Sequence, residues 1–391
     1  MVLCKTNQCT GCSACANACP HQCIQMISDD EGFIRPSIDK DLCINCGICQ
    51  LACPILSPLS STHNTTAYAA INPNEDARLQ STSGGIFSLL AQWTFDHNGV
   101  VFGAAYTENY SVAHQSVTDM NGLSKLRTAK YAQSWIGDSF QQAKTYLDEN
   151  RYVLFSGTPC QIGGLSNYLG RQYNNLIMVD LICYGVPSPS VWSKYIEYRK
   201  NKDSHGASPI SINLRSKETG WPGYSIRFDY PNGFSYIAKN SEDPYLRCFI
   251  GDLCLRPSCY DCHFKGISRI SDFTLGDYWG VWSQLPESSE YNDRKGTSLV
   301  LIHSEQAKKI WADLQNQLHC QQVALPKCLE ENLSAVKSSA LPDQRIEFMN
   351  CYLREDFADL VQRLLPKGKS NTIIPSILSR FKNKLVQLLY K

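Results

Sequence analysis

The sequence predicts an α+β chain in two parts: a short, cysteine-dense N-terminal domain and a longer body of mixed α/β type. Three observations carry that reading. Ten of the 19 cysteines fall before residue 54. A polar stretch follows, Ser57-Pro58-Leu59-Ser60-Ser61-Thr62-His63-Asn64-Thr65-Thr66, which reads as a linker. Beyond it the hydrophobic pattern changes to runs of strand and helix length in alternation. The expected division is a first domain at 1–57, a linker at 58–66, the two parts of the body at 67–150 and 151–335, and a separate tail at 366–391.

Composition narrows the function. Apolar residues make up 43% and charged residues 19% of the 391, as in a globular protein with a real core. A formal charge of +1 carries no electrostatic signature of nucleic-acid binding. No apolar run reaches the ~18 residues of a membrane span, and no secretory h-region stands near the start. An odd number of cysteines leaves at least one thiol unpaired. Reduced cytoplasmic thiols serving as metal ligands therefore fit better than a disulfide framework, and the expected location is the cytoplasm.

The first domain contains the same motif twice. Cys9-Thr10-Gly11-Cys12-Ser13-Ala14-Cys15-Ala16-Asn17-Ala18-Cys19-Pro20 is matched by Cys43-Ile44-Asn45-Cys46-Gly47-Ile48-Cys49-Gln50-Leu51-Ala52-Cys53-Pro54. Both follow the bacterial ferredoxin run C-x2-C-x2-C-x3-C-P, in which the fourth cysteine ligates the other cluster. The assignment is two 4Fe-4S clusters, one on Cys9, Cys12, Cys15 and Cys53, the other on Cys43, Cys46, Cys49 and Cys19. Zinc also takes C-x2-C pairs, but two complete runs with both prolines favour cubanes. Gly11 and Gly47 suit tight turns that aim backbone N–H groups at sulfide. Cys23 reads as a small buried apolar residue, and Cys4 is left unassigned.

In the body, Tyr68–Ile71 and Val100–Tyr106 read as strands, with a helix from Gly85 to Phe95 between them. Tyr152–Phe155, the turn Gly157-Thr158-Pro159 and an amphipathic run to Leu169 read as strand, turn and helix. Leu176–Ile182 is expected to be a buried strand, followed by a helix from Ser190 to Lys200. Ser225–Ile237 alternates across Pro231-Asn232-Gly233, a hairpin with an Asn-Gly turn. A further cysteine group, Cys254, Cys259 and Cys262, contains one C-x2-C pair and needs two more ligands to make a metal centre. Cys160 and Cys183, at strand ends, are the candidates. Spacing alone leaves open that they are ordinary core thiols.

These motifs together resemble the coenzyme F-420 hydrogenase/dehydrogenase beta-subunit family, in its ferredoxin-fused bacterial form. The residues that carry the resemblance are Ser83-Gly84-Gly85-Ile86-Phe87, Lys130-Tyr131, Gly157-Thr158-Pro159-Cys160-Gln161, Leu181–Ser188, Leu255–Cys262 and Asp272–Gly280. The resemblance implies a body that binds FAD and a third 4Fe-4S cluster, with Cys160, Cys183, Cys259 and Cys262 at the matching positions and Cys254 in reserve. It implies an iron–sulfur flavoprotein oxidoreductase that converts between hydride chemistry at a flavin and one-electron transfer through clusters. The other reading is a non-catalytic electron-transfer subunit wiring a partner enzyme. A redox partner protein and a small-molecule substrate are expected on the first reading. The bacterial form need not meet the deazaflavin, so the substrate is not carried over.

Flavin contacts are expected from Ser83, Gly84 and Gly85, which open a helix whose free N–H groups suit a phosphate, although such a start is also an ordinary cap. Lys130 is a candidate to balance the cofactor's charge, or else a solvated lysine. Thr158 and Asp277 complete the set. Arg215, Lys217 and Trp221 are candidates for an acidic substrate or the flavin's edge, a salt bridge at a strand end being the alternative. Beyond Pro366 the tail is basic, with Ile374, Ile377, Leu378, Phe381, Leu385, Leu388 and Leu389 at helical spacing. It suits peripheral contact with the inner face of the membrane, a partner, or the protein's own core.

Overall fold

The computed structural model describes residues 3–61 and 64–366; the tail expected over 366–391 lies outside these apart from Pro366. The N-terminal domain is a hairpin of β1 (Ile24–Ser28) and β2 (Ile34–Ile38) with two one-turn helices, Ala14–Asn17 and Ile48–Leu51. Each helix starts inside a cysteine run. The residue before each is left-handed, Ser13 at φ 62° and Gly47 at φ 82°, and Gly11 is also at φ 62°. Left-handed residues bend the chain sharply enough for successive cysteines to face one point.

The strands of the body form two sheets. The larger has eight: β3 (Thr66–Ile71), β4 (Val100–Tyr106), β5 (Val112–Val117), β6 (Val153–Gly157), β7 (Leu176–Leu181), β11 (Phe273–Asp277), β12 (Ser298–Ile302) and β13 (His319–Val323). Their order across the sheet is β13-β3-β12-β11-β7-β6-β4-β5. The central four, β11, β7, β6 and β4, run parallel, β5 and β12 pair antiparallel with the strands at their two edges, and beyond β12 the strands β3 and β13 each pair antiparallel with the strand before. Of the parallel strands, β4, β6 and β7 are largely apolar, as suits strands covered by helices on both faces. Helix Ile86–Asp96 and the helix Glu305–Leu314 pack on one face, with Leu90, Ile310 and Trp311 buried. Helices Ser139–Asp148 and Pro159–Leu169 cover the other.

The second sheet has three antiparallel strands, β8 (Ser211–Ser216), β9 (Ser225–Asp229) and β10 (Ser235–Lys239). It carries the hairpin expected at Asn232-Gly233, with Gly233 at φ 81°. A bulge between Asn213 and Ser216 breaks the β8–β9 register, and Arg215 lies within it. Bulges re-aim a side chain. The helix Pro189–Ser204, seated against this sheet, forms an aromatic core around Trp192, Tyr195 and Tyr245 with the helix Phe357–Leu364.

The N-terminal domain is seated on the body through its first cysteine run. Cys12, Ala14 and Ala52 share a buried cluster with the helix Pro159–Leu169. Two adjacent helix glycines permit this approach: a Cβ on Gly163 would lie 3.3 Å from Pro54, and one on Gly164 would lie 2.9 Å from Cys12 Sγ. Gln133 accepts from the Ile34 amide at 2.9 Å, and Arg345 forms a two-bond ion pair with Glu31 at 2.8 and 2.6 Å.

Candidate functional site

The carboxyl ends of parallel strands are where ligands bind in open α/β sheets, and the cysteines of the body gather there. Cys160 lies three residues past β6, in the first turn of Pro159–Leu169, and Cys183 lies two past β7. Cys259 sits in the one-turn helix Pro257–Tyr260, with Cys262 just beyond. These four line one space of about 400 Å³, together with Arg256, Lys265 and Arg269. Burial pushes the Cys183 thiol up to about 12 and raises Cys262 as well, because desolvation disfavours the thiolate. Cys254 faces elsewhere, fully buried against Cys248.

In the N-terminal domain Cys9, Cys12 and Cys15 of the first run and Cys53 of the second line a space of about 350 Å³. The fourth cysteine thus crosses between runs. Cys4 lines the same space, and its thiol lowers Cys9 to about 5 and Cys53 to about 6 by hydrogen bonding. On the other side, Cys49 is influenced by Cys19, Cys46 and Cys43, after the burial that raises it. Cys23 Sγ lies 3.3 Å from Cys19 Sγ. Cys4 and Cys23, neither given a ligand role from sequence, therefore accompany the two sets. Neither has the C-x2-C spacing that would have singled it out.

The donor chemistry fits cubanes. Both spaces are lined by thiols, the soft ligands such clusters take, with no carboxylate or imidazole in either lining. Among the described residues no three His, Cys, Asp or Glu side chains converge on a single metal ion. Around the third group, the buried Arg256 guanidinium and Lys265 ammonium lie where a four-thiolate cluster would bring negative charge. Lys265 donates to the carbonyls of Cys183 and Ser334, at 2.7 Å for Ser334.

Beside the third group opens a cleft of about 2030 Å³, with Cys183, Tyr184 and Arg256 lining both spaces. Its floor is the ends of β6, β7 and β11; Ser83, Gly85, Lys130, Thr158 and Asp277 line it. The expected contacts differ in what they do. Gly85 is the left-handed N-cap of Ile86–Asp96, at φ 84°, so that helix presents its N-terminus to the cleft. Gly84 is packed into the sheet instead: a Cβ there would lie 2.4 Å from Ala70 O and 2.7 Å from Ser298 N. The Ser83 hydroxyl donates to Thr297 O at 2.7 Å. Lys130 donates to the carbonyls of Lys125 at 2.8 Å, Thr128 at 3.2 Å and Arg127, and desolvation pushes it down to about 7.

Asp277 is a hub. It accepts from Arg215 at 3.0 Å and from Trp221 Nε1 at 2.9 Å. Trp221 stacks on Trp279 of the cleft wall at 5.1 Å. Arg215 also donates to Tyr131 at 3.2 Å and lies 3.9 Å over the Tyr224 ring. Burial opposes its charge, and Asp277, Tyr131 and Tyr224 together more than offset that, so Arg215 stays cationic. Its Nε, buried in the cleft wall, has no partner among the described residues, a donor that an anionic or carbonyl-bearing ligand would satisfy. Lys217 does not line the cleft; it donates to Arg78 O and Ser83 O, both at 2.7 Å. His114, at the cleft floor, is pushed down to about 4 by burial and is neutral, with Nδ1 2.7 Å from Ser134 Oγ.

Residues 150–326 match the family model for the C terminus of the coenzyme F420 hydrogenase/dehydrogenase beta subunit, and residues 8–55 match the 4Fe-4S dicluster domain. The body segment 150–326 is thus similar to that beta-subunit family. With a dicluster domain of two 4Fe-4S clusters joined to it, the chain has a redox, electron-transferring role of oxidoreductase type. Among solved structures, the xenon-derivatised F420-reducing [NiFe] hydrogenase complex from Methanosarcina barkeri matches at 14% identity and a TM-score of 0.45, over 78% of this chain and 92% of that one. No curated protein matches. Among the described residues, no helix is long and apolar enough to cross a membrane.

Proposed function

We propose that the chain is an iron–sulfur flavoprotein oxidoreductase that exchanges single electrons with a protein partner and two-electron equivalents with a small molecule. On this reading Cys9, Cys12, Cys15 and Cys53 hold the inner cluster of the N-terminal domain, and Cys19, Cys43, Cys46 and Cys49 the outer one. Cys160, Cys183, Cys259 and Cys262 hold a third, and FAD occupies the cleft near Ser83, Gly84, Gly85, Lys130, Thr158 and Asp277. The flavin supplies the exchange between hydride and single electrons.

One observation carries the reading: the third cysteine group lies between the first run and the cleft, and shares Cys183 and Arg256 with the cleft wall. The N-terminus of Ile86–Asp96 attracts phosphate, and Lys130, its amine held by three loop carbonyls, lines the same wall. Arg215, held by Asp277 and Tyr131, offers its free Nε to an acidic or carbonyl group of the ligand. His114, neutral and hydrogen-bonded, adds no charge to the floor. At the other end, Cys46 is exposed among exposed Leu42, Ile44, Ile48 and Leu51, which suits a partner approaching the outer cluster.

Anaerobic reconstitution followed by metal and flavin analysis tests the proposal. About twelve irons and a bound flavin are expected. A count near eight removes the third cluster. Full iron without flavin, even when FAD is offered, leaves an electron-transfer subunit wiring a partner enzyme.

A further inference from the structure

Among the described residues, buried arginines follow one rule with one exception. Arg35, Arg78, Arg199, Arg215, Arg269 and Arg345 are each buried and each paired to an aspartate or glutamate. Arg256 is 3% exposed and, among the described residues, has no carboxylate in an ion pair. A guanidinium cannot shed its proton to escape burial, so its charge must be met by an anion nearby.

Its surroundings identify the anion. Nη2 donates to Cys160 Sγ at 3.6 Å, in the third cysteine group. Nη1 donates to Thr10 O, on the residue after Cys9 in the first run. Nε donates to Ser258 Oγ at 3.0 Å, beside Cys259. The backbone is held as well: the Arg256 amide donates to Val186 O at 2.9 Å, and Leu255 bridges to Pro187. The guanidinium thus spans from one cysteine group to the other, fixed at all three nitrogens.

We propose that Arg256 is a positioning and charge-compensating residue shared by two clusters, the inner cluster of the N-terminal domain and the third cluster of the body. One permanent positive charge beside both favours the electron on either, so neither becomes a deep trap or a high barrier relative to the other. Its Nη1 and Nη2 bonds also join the Cys9–Thr10 backbone to the Cys160 sulfur through one side chain. Hydrogen bonds to sulfur and nearby charge are recognised determinants of cluster potential. The outer cluster, on the far side of the domain, lies beyond this influence.

The inference rests on the third-cluster reading, and the experiment separates the two. Full-length Arg256→Gln and Arg256→Lys are prepared beside the wild type, their iron counted, and each cluster titrated anaerobically by electron paramagnetic resonance. In R256Q the reduction equilibria of the inner and third clusters should each fall at least tenfold, 59 mV for a one-electron couple, with the outer cluster moving much less. R256K, which keeps the charge, should stay closer to wild type at both. Should R256Q lose the third cluster, R256K is expected to retain it. Full iron in R256Q with unmoved potentials, an equal shift at all three clusters, or R256K failing as fully as R256Q would each overturn the proposal. A wild-type count near eight irons overturns the third-cluster reading instead.

Discussion

Replacing Gly164 tests whether the N-terminal domain sits where the body's third cysteine group can reach it. Gly164 lies inside the helix Pro159–Leu169, where alanine would ordinarily gain about 1 kcal/mol over glycine. Here the added methyl would meet Cys12 Sγ at 2.9 Å, Cys12 Cβ at 3.1 Å and Ala14 Cβ at 3.4 Å. Comfortable carbon contacts lie at about 3.5–4.0 Å, so the first cysteine run would have to retreat by roughly half an ångström. Overpacking of this kind costs about 1–3 kcal/mol. Net of the helix gain, Gly164→Ala should be neutral to about 2 kcal/mol destabilising. Gly164→Val, with less helix gain and more bulk, should cost more. Anaerobic thermal unfolding of the iron-loaded chain reads the stability, and the low-temperature resonance of the inner cluster reads the local disturbance. A Gly164→Ala variant that melts several degrees higher with an unaltered inner-cluster signal would show that the helix and Cys12 do not touch, and would refute the seating of the domain.

Three further outcomes are expected. Cys19→Ala should keep about twelve irons, because Cys23 Sγ is 3.3 Å away and can replace it, whereas the Cys19→Ala/Cys23→Ala pair should lose the outer cluster; equal losses in both would remove that substitute role. Asp277→Ala strands the buried Arg215 charge and should cost about 3–5 kcal/mol and weaken flavin retention; denaturant titration and flavin release measure the two effects, and an unchanged midpoint contradicts the hub. His114 is depressed from 6.5 to about 4, so the stability it contributes is complete above pH 6.5 and is lost as pH falls toward 4, by about 3 kcal/mol in all. His114→Gln should flatten that part of the pH–stability curve, and identical slopes in the two proteins would contradict a buried neutral ring.

The legible part of this protein was local. The two cysteine runs name their chemistry because ligand spacing within a few residues is what wraps a cubane, and Gly11 and Gly47 have the positive φ that such turns need. Strands such as Leu176–Leu181 and helices such as Pro159–Leu169 were readable because apolar periodicity and Thr-Pro or Gly punctuation are short-range signals. Gly84 shows the limit of such signals. Glycines before a helix suggest a phosphate cradle, yet at Gly84 the absent side chain makes room for Ala70 and Ser298 of the sheet.

What only the tertiary structure decided was which distant groups meet. Arg256 is one arginine among many in the sequence, and only the fold shows that it alone among the described residues is buried without a carboxylate, between residues 10 and 160. Cys4 lacks any spacing signature, and its nearness to Cys53 of the second run depends on how the two runs fold over each other. The aim of Arg215 comes from a bulge, a register slip between two strands that neither strand encodes alone. The physical reason is range: a motif records contacts made within one turn of chain, whereas a buried charge finds its counter-charge far along the sequence, 62 residues away for Arg215 and 96 for Arg256, wherever packing brings the two together.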